Sequence, residues 1–403
     1  MATKSPIEHV VLIIKENHAF DNYFGTFPGA NGMSLPRSPN PPTHDPDHRH
    51  GAWLTRKQTA ARLQFTEQDI PAYFAYARQY TLCDNYFTDV AGPSTPNHLM
   101  LIAADSPLIE NPHGAPVFQL PSLPANLSKA NLTWRNYGGY AFSFIAGLGK
   151  QNQTTPDQFV RDAGAGTLPA VSWVYAPNDA SEHPPDPQDS GKPLVGNVTH
   201  GMEWTVAQVD AIAKGGLWPK AAIFITWDDW GGWFDHVDPP NVESWRDTGQ
   251  HPTWNGTQFR YGSRVGCLVL SPFARSGYVS KALHSHVSLV KFCCAQFGVA
   301  AWNDRLRKAD DMSDCFDFSR PPAPAPAPAL GGVGATPRGT PGPRGGPRPP
   351  GGPAPSKRPR RSTRGTRRPS KRPRGSTRGT RRPSKRPRGA TRGARRPSKR
   401  RRG

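Results

Sequence analysis

The stretch Ile7-Glu8-His9-Val10-Val11-Leu12-Ile13-Ile14-Lys15-Glu16-Asn17-His18-Ala19-Phe20-Asp21 decides the fold. Val10 to Ile14 is an unbroken apolar run, mostly β-branched, and predicts a strand buried on both faces, as in a parallel sheet. The run ends on Glu16-Asn17, a carboxylate beside an amide oxygen. In open α/β sheets ligands gather at the carboxyl ends of strands, and two hard oxygen donors at such an end suit a divalent cation. The same pattern recurs far downstream. Ala221 to Trp227 is a second apolar run, and it ends on Asp228-Asp229. Neighbouring carboxylates at a strand end repel unless a cation lies between them. Gly231-Gly232, just beyond, permits a close backbone approach to a ligand.

Between these runs lies Gly92-Pro93-Ser94-Thr95-Pro96-Asn97-His98, followed by the apolar Leu99 to Ala104. Gly-Pro makes a turn, Ser94 or Thr95 stands where a helix N-cap belongs, and Pro96 fits the first turn. A hydroxyl at a helix N-terminus faces free N–H groups and the positive end of the dipole, which stabilises an alkoxide and any phosphate oxygen beside it. Thr66, with Glu67 and Asp69 after it, predicts another helix start. Residues 170–175 and 264–270 read as strands, and 203–212 and 287–297 as helices. Ser181-Glu182-His183-Pro184-Pro185 is a turn carrying an acid and a histidine. His286 stands at a helix N-terminus, which pushes an imidazole toward its neutral form. The loop-like segment 28–51 ends in His44-Asp45-Pro46-Asp47-His48-Arg49-His50, a further candidate for holding a cation. Trp227, Trp230, Trp233 and Phe234 suit either a lipid-facing cleft or a packed core.

Charge divides the chain. Of its 51 Lys and Arg, 27 lie from Arg320 onward, where no Asp or Glu occurs; the preceding residues carry 24 basic against 30 acidic. The net charge of +21 therefore belongs to a tail, and the body is mildly acidic. Residues 1–315 are long enough for one large α/β domain or two small ones, and are read as a single catalytic domain. Residues 316–355 are a Pro/Ala/Gly-rich linker, and 356–403 are near-copies of SKRPRGSTRGTRRP with a period of 14. Without apolar residues beyond Ala, such repeats build no core and are expected to be disordered. The abrupt change of composition also fits a shifted reading frame in GC-rich coding sequence. The five cysteines (Cys83, Cys267, Cys293, Cys294 and Cys315) form no CxxC pair and read as buried free thiols. Met1 to Pro6 shows no export signal, so the chain as written reads as cytoplasmic.

The set of motifs is similar to the bacterial phosphoesterase family that contains phospholipases C and a class of acid phosphatases, within the alkaline-phosphatase-like superfamily. The resemblance rests on Glu16-Asn17-His18-Ala19-Phe20-Asp21, Gly92 to His98, Ser181 to Pro185 and Thr226 to Pro240, with weaker matches at Ser271-Pro272-Phe273 and His286-Val287-Ser288. It implies a three-layer α/β sandwich and a metal-dependent hydrolase of phosphate esters, phospholipids among them. It further implies Glu16, Asn17, Asp228 and Asp229 as ligands of a divalent cation (Ca, Mg, Mn or Zn), and Ser94 as the nucleophile. His183, His236 and His286 would stand near the phosphate, and Asn97 and His98 would bind substrate. Members of the family are usually exported. A second reading, from another class, is a nucleic-acid-binding protein acting through its basic repeats, which would also meet anionic membranes; such binding is strongly salt-dependent.

Overall fold

The computed structural model describes residues 5–246 and 249–326; the basic repeats and most of the linker lie outside them. Eight strands form one mixed sheet. Across it they run Tyr278–Ser280, Thr81–Cys83, Cys267–Leu270, Ala221–Trp227, His9–Lys15, Val171–Tyr175, Trp134–Tyr137 and Gln153–Thr154. The opening apolar run is thus the central strand, parallel to both neighbours, with Leu12 level with Trp173 on one side and Phe224 on the other. Val10 to Ile14 and Ala221 to Trp227 are buried at every position, which a sheet achieves only with both faces covered. Helices supply that cover. Ser94–Ala103 packs on His286–Phe297, while Pro71–Gln79 and Pro156–Gly164 pack on Val198–Lys214. Each large aliphatic side chain in such a core contributes about 1.5–3 kcal/mol.

Register then creates the site. Lys15 is level with Trp227, so the next residues, Glu16 and Asp228, leave the sheet side by side although 212 positions separate them. The Asp228 N–H donates to the Lys15 carbonyl at 3.0 Å, and the Asn17 N–H donates to Asp228 Oδ1 at 3.2 Å. Asn17 has φ 63°, in the left-handed region that Asn enters more readily than most residues. Gly231, at φ 58°, is required here: a Cβ on it would lie 2.0 Å from the Asn17 carbonyl oxygen. The glycine pair therefore admits protein backbone, with Gly232 closing on Pro46 and Asp47.

Some local expectations shift. The helix anticipated at Thr66 begins at Pro71. Residues 66–69 are instead a turn closed by Asp69, whose Oδ2 accepts from the Thr66 N–H and hydroxyl at 3.0 and 3.1 Å; Ile70 is held out of the helix by the proline after it. Neither Ser94 nor Thr95 is the N-cap of its helix. Pro93 takes that position and Ser94 is the first helical residue, its hydroxyl not spent on capping. The strand expected from Arg264 starts at Cys267 and runs antiparallel to both neighbours, because residues 264–265 pair instead with Phe87 and Ala19. Trp227, Trp230 and Trp233 are all at most 2% exposed, so they pack core. The hold of the body extends past residue 315: Phe316 is buried, and Ala323 donates to the Pro272 carbonyl while its own carbonyl accepts from Trp218 Nε1.

Candidate active site

At the carboxyl end of the central strands, Ser94 Oγ donates to Asp229 Oδ2 at 2.9 Å, with Asn17 Oδ1 3.5 Å away. The second Asp229 oxygen accepts from the Gly231 N–H at 2.7 Å. One helical turn after Ser94, on the same face, His98 points its Nε2 between Asp228 Oδ2 at 3.2 Å and Glu16 Oε1 at 3.5 Å. Glu16, His98 and Asp228 thus offer ligand atoms to a single point. His98 Nε2 and Asp228 Oδ2 are buried and complete no hydrogen bond.

The donor set fits a cation. One end of the Asn17 amide lies 3.0 Å from Asp228 Oδ1 and 3.2 Å from Glu16 Oε2. With oxygen at that end, three acceptors converge, and the Asn17 N–H on Asp228 Oδ1 leaves the mutual repulsion of the three for a cation to relieve. With nitrogen there, the amide donates to both carboxylates and its oxygen accepts from His183 Nε2 at 3.0 Å. Electrostatics agree. Burial, with Asp228 next in effect, lifts Asp229 to about 8, whereas Asp228, supported by His98 against the same burial, falls to about 2. Burial also works to lower His98, yet the Asp228 and Glu16 carboxylates carry it to about 10. Two acids and an imidazole competing for protons in so small a volume are what a divalent ion replaces.

A further wall comes from the loop 45–48. His48 Nε2 is 3.4 Å from Asn17 Nδ2, and Asp45, His48 and His183 form a second cluster of ligand-type atoms. Of the histidines in the 44–50 run, His48 alone is in it; His50 is buried elsewhere, its Nε2 2.9 Å from Thr257 Oγ1.

The remaining residues expected at the site have other partners. His286 is fully buried; its Nε2 donates to the Asp228 carbonyl at 2.7 Å and its Nδ1 accepts from the Tyr86 hydroxyl at 2.9 Å. It therefore fixes the strand end from behind, and burial lowers its pKa. His236 pairs with Asp21 at 2.6 Å and lies 3.2 Å from Asn31 Oδ1, in a group with Asp235 and Arg264 and not with Ser94. Asn97 spends its amide on the turn below the helix. Its Oδ1 accepts from the Val90 N–H at 2.8 Å, and its Nδ2 donates to the carbonyls of Val90, Gly92 and Pro93 at 3.2, 3.3 and 3.0 Å. These bonds tie Asn97 to the turn that carries Ser94. Asn97→Ala should leave a buried N–H unpaired and cost about 1–3 kcal/mol. Denaturant midpoints should fall and kcat with them, while KM holds. A raised KM at unchanged stability would instead return Asn97 to the substrate.

Sequence reasoning marked Glu182 only as the acid of the turn 181–185 and gave Lys15 no part. Glu182, fully buried, accepts from the hydroxyls of Tyr23 and Tyr73 at 2.8 and 2.6 Å and from Trp227 Nε1 at 2.9 Å. Lys15 Nζ stands 3.2 Å from it and also donates to the carbonyls of Gly201 and Ala180. The pair ties the residue before Glu16 to the residue before His183. The signal for His98 was present, since it is four residues from Ser94; nothing local marked Glu182 as buried.

A model of the Phosphoesterase family matches residues 7–47, 44–147 and 141–300. The chain belongs to that family. Among its relatives is a non-hemolytic phospholipase C of Pseudomonas aeruginosa, 28% identical over 78% of this chain and 58% of the relative. Phospholipases C B and C A of Mycobacterium tuberculosis are 27% and 26% identical, over 79% and 78% of this chain and the same shares of their own length. The chain thus spans little more than half of the Pseudomonas relative. The family match covers the central strand, the Ser94 helix, the Glu182 turn and the Asp228 strand end together, which are the elements that build the site.

Proposed function

We propose that this phosphoesterase-family chain is a metal-dependent hydrolase of phosphate esters, acting as a phospholipase C with Ser94 as nucleophile. One observation carries the reading: the Ser94 hydroxyl opens a helix, is free of capping, and donates to Asp229 beside the convergent Glu16, His98 and Asp228. Membership in a family whose relatives include phospholipases C supports the substrate class.

Glu16, Asn17, His98, Asp228 and Asp229 would hold the cation. When bound, a divalent cation lowers the pKa of a hydroxyl and polarises a phosphoryl oxygen. The protein does the rest. Asp229, whose Oδ2 accepts the Ser94 hydroxyl hydrogen bond, orients the Oγ lone pair and takes the hydroxyl proton as Oγ attacks. Ser94 Oγ attacks phosphorus in line, the bond from phosphorus to the alcohol oxygen breaks, and a phosphoserine forms. Water then attacks the same phosphorus, giving a proton to the histidine that protonated the alcohol, and the Ser94 Oγ–P bond breaks as Oγ takes its proton back from Asp229. His183 and His48, on the far side of Asn17, stand to give a proton to the departing alcohol and to hold phosphoryl oxygens.

The test is a panel of p-nitrophenyl phosphate, p-nitrophenylphosphorylcholine and phosphatidylcholine, assayed after chelation and again after adding back single metals. Activity on the choline esters that vanishes and returns with metal is the expected result; hydrolysis of the monoester alone would make the chain a phosphatase instead. Asp228→Asn removes one charge from a hard-cation site. It should lower metal affinity and kcat together, by about tenfold or more each. Elemental analysis showing undiminished catalytic metal in that variant would count against the ligand set.

A further inference from the structure

A separate cluster of ligand-type side chains lies apart from the Ser94 site, and no step of the proposed reaction uses it. Cys83 ends its strand, His284 sits in the short strand His284–Ser285, and Cys315 closes the turn Ser313–Cys315. All three are fully buried, and their ligand atoms gather around one point. Both thiols are free. Cys83 Sγ and Cys315 Sγ are 3.7 Å apart, Cys315 Sγ is 3.5 Å from Asp314 Oδ1, and that oxygen is 3.3 Å from His284 Nε2.

These separations have a simple meaning. Zinc takes sulfur at about 2.3 Å and nitrogen or oxygen at about 2.0–2.1 Å in a tetrahedron. The edges of that tetrahedron are then about 3.8 Å between sulfurs, about 3.6 Å from sulfur to oxygen and about 3.4 Å from nitrogen to oxygen. Three of the six edges of such a tetrahedron thus have observed counterparts, Cys83 to Cys315, Cys315 to Asp314 and Asp314 to His284; Asp314 joins His284 and Asp310 in a neighbouring group that shares the imidazole with the two cysteines. The surroundings are also those of a metal site. Asp314 Oδ2 accepts from Ser280 Oγ at 2.5 Å and from the Tyr278 hydroxyl at 3.3 Å, which turns Oδ1 inward. Ser280 Oγ also lies 3.0 Å from His284 Nε2. His284 Nδ1 is buried and completes no hydrogen bond, with Asp310 Oδ1 2.9 Å away; a carboxylate at the far nitrogen is the usual companion of a metal-bound imidazole.

We propose that Cys83, His284, Cys315 and Asp314 bind a structural zinc ion. Thiolate and imidazole donors select zinc over the hard cations that suit the oxygen-rich catalytic cluster. The ion would clasp segment 310–315 to the edge of the sheet, two residues before His286, the residue that holds the Asp228 carbonyl. Its role is to brace that wall, and the reacting atoms do not touch it.

The test uses the full chain. Asp228→Asn, with its catalytic site weakened, should still carry about one zinc per molecule. Exchange of that zinc for cobalt should produce a thiolate-to-cobalt charge-transfer band in the near ultraviolet, which oxygen ligands do not give. Cys315→Ser should lose both the retained zinc and the band; Asp314→Asn, a milder change, should weaken zinc retention at least tenfold. Chelation should lower the melting temperature of Asp228→Asn but not of Asp228→Asn/Cys315→Ser. The proposal is overturned if cobalt-loaded protein lacks the band, if Cys315→Ser keeps its zinc, or if peptide mapping finds Cys83 and Cys315 joined as a disulfide.

Discussion

Ser94→Ala should lower turnover by about three orders of magnitude or more while leaving the fold standing. In the proposed mechanism the lost atom is the one that attacks phosphorus, and no other hydroxyl among the described residues donates to Asp229. The structural cost is small. Ser94 Oγ makes a single close hydrogen bond, to Asp229 Oδ2, and Asp229 keeps the Gly231 N–H on its other oxygen. A loss of about 1 kcal/mol in stability is therefore the upper end of what denaturant melts should show. Acid quenching of the wild type during turnover of a substrate labelled in its phosphoryl group should trap label on Ser94, and the variant should trap none. Near-normal turnover by Ser94→Ala would remove the nucleophile from the mechanism, whatever the metal does.

Glu182→Gln should produce the largest loss of stability. Lys15 and Glu182 are both wholly buried, and removing one charge leaves the other uncompensated in a low-dielectric interior. Such single truncations cost about 3–5 kcal/mol. Burial already lowers the Lys15 pKa, with Glu182 the main force opposing the drop, so without Glu182 the lysine would shed its proton or pull the surrounding backbone toward water. The effect should reach the site, because Glu16 and His183 each follow a member of the pair: metal affinity should fall together with the urea midpoint. Lys15→Met/Glu182→Gln should recover much of the loss, since the Gln carbonyl can still accept from Tyr23 and Trp227, its amide N–H can donate to the Tyr73 hydroxyl, and no charge is stranded. A midpoint in Glu182→Gln within about 1 kcal/mol of wild type would show the pair to be energetically idle.

The sequence by itself determined the fold class and the identities of most candidate cation ligands. Hydrophobic periodicity is local, so Val10 to Ile14 and Ala221 to Trp227 announced themselves as buried parallel strands, and the oxygen donors that follow each run could be read directly. Spacing along a helix is local too: His98 follows Ser94 by four residues and shares its face, while the observed geometry sets His98 Nε2 beside Glu16 and Asp228. What the tertiary structure alone decided depends on partners distant in the chain. Strand register set Glu16 beside Asp228; the turn at residues 90–93 consumed the Asn97 amide; Asp21 and Asp228 claimed His236 and His286. Nothing in the sequence told that Lys15 and Glu182 lie in the interior, where Tyr23, Tyr73 and Trp227 converge on the carboxylate. Cys83 and Cys315 lie 232 residues apart with no spacing motif between them, so no local pattern could bring their sulfurs together. Side-chain partnership across a sheet is fixed by how the strands are ordered and registered, and that information is spread over the whole chain.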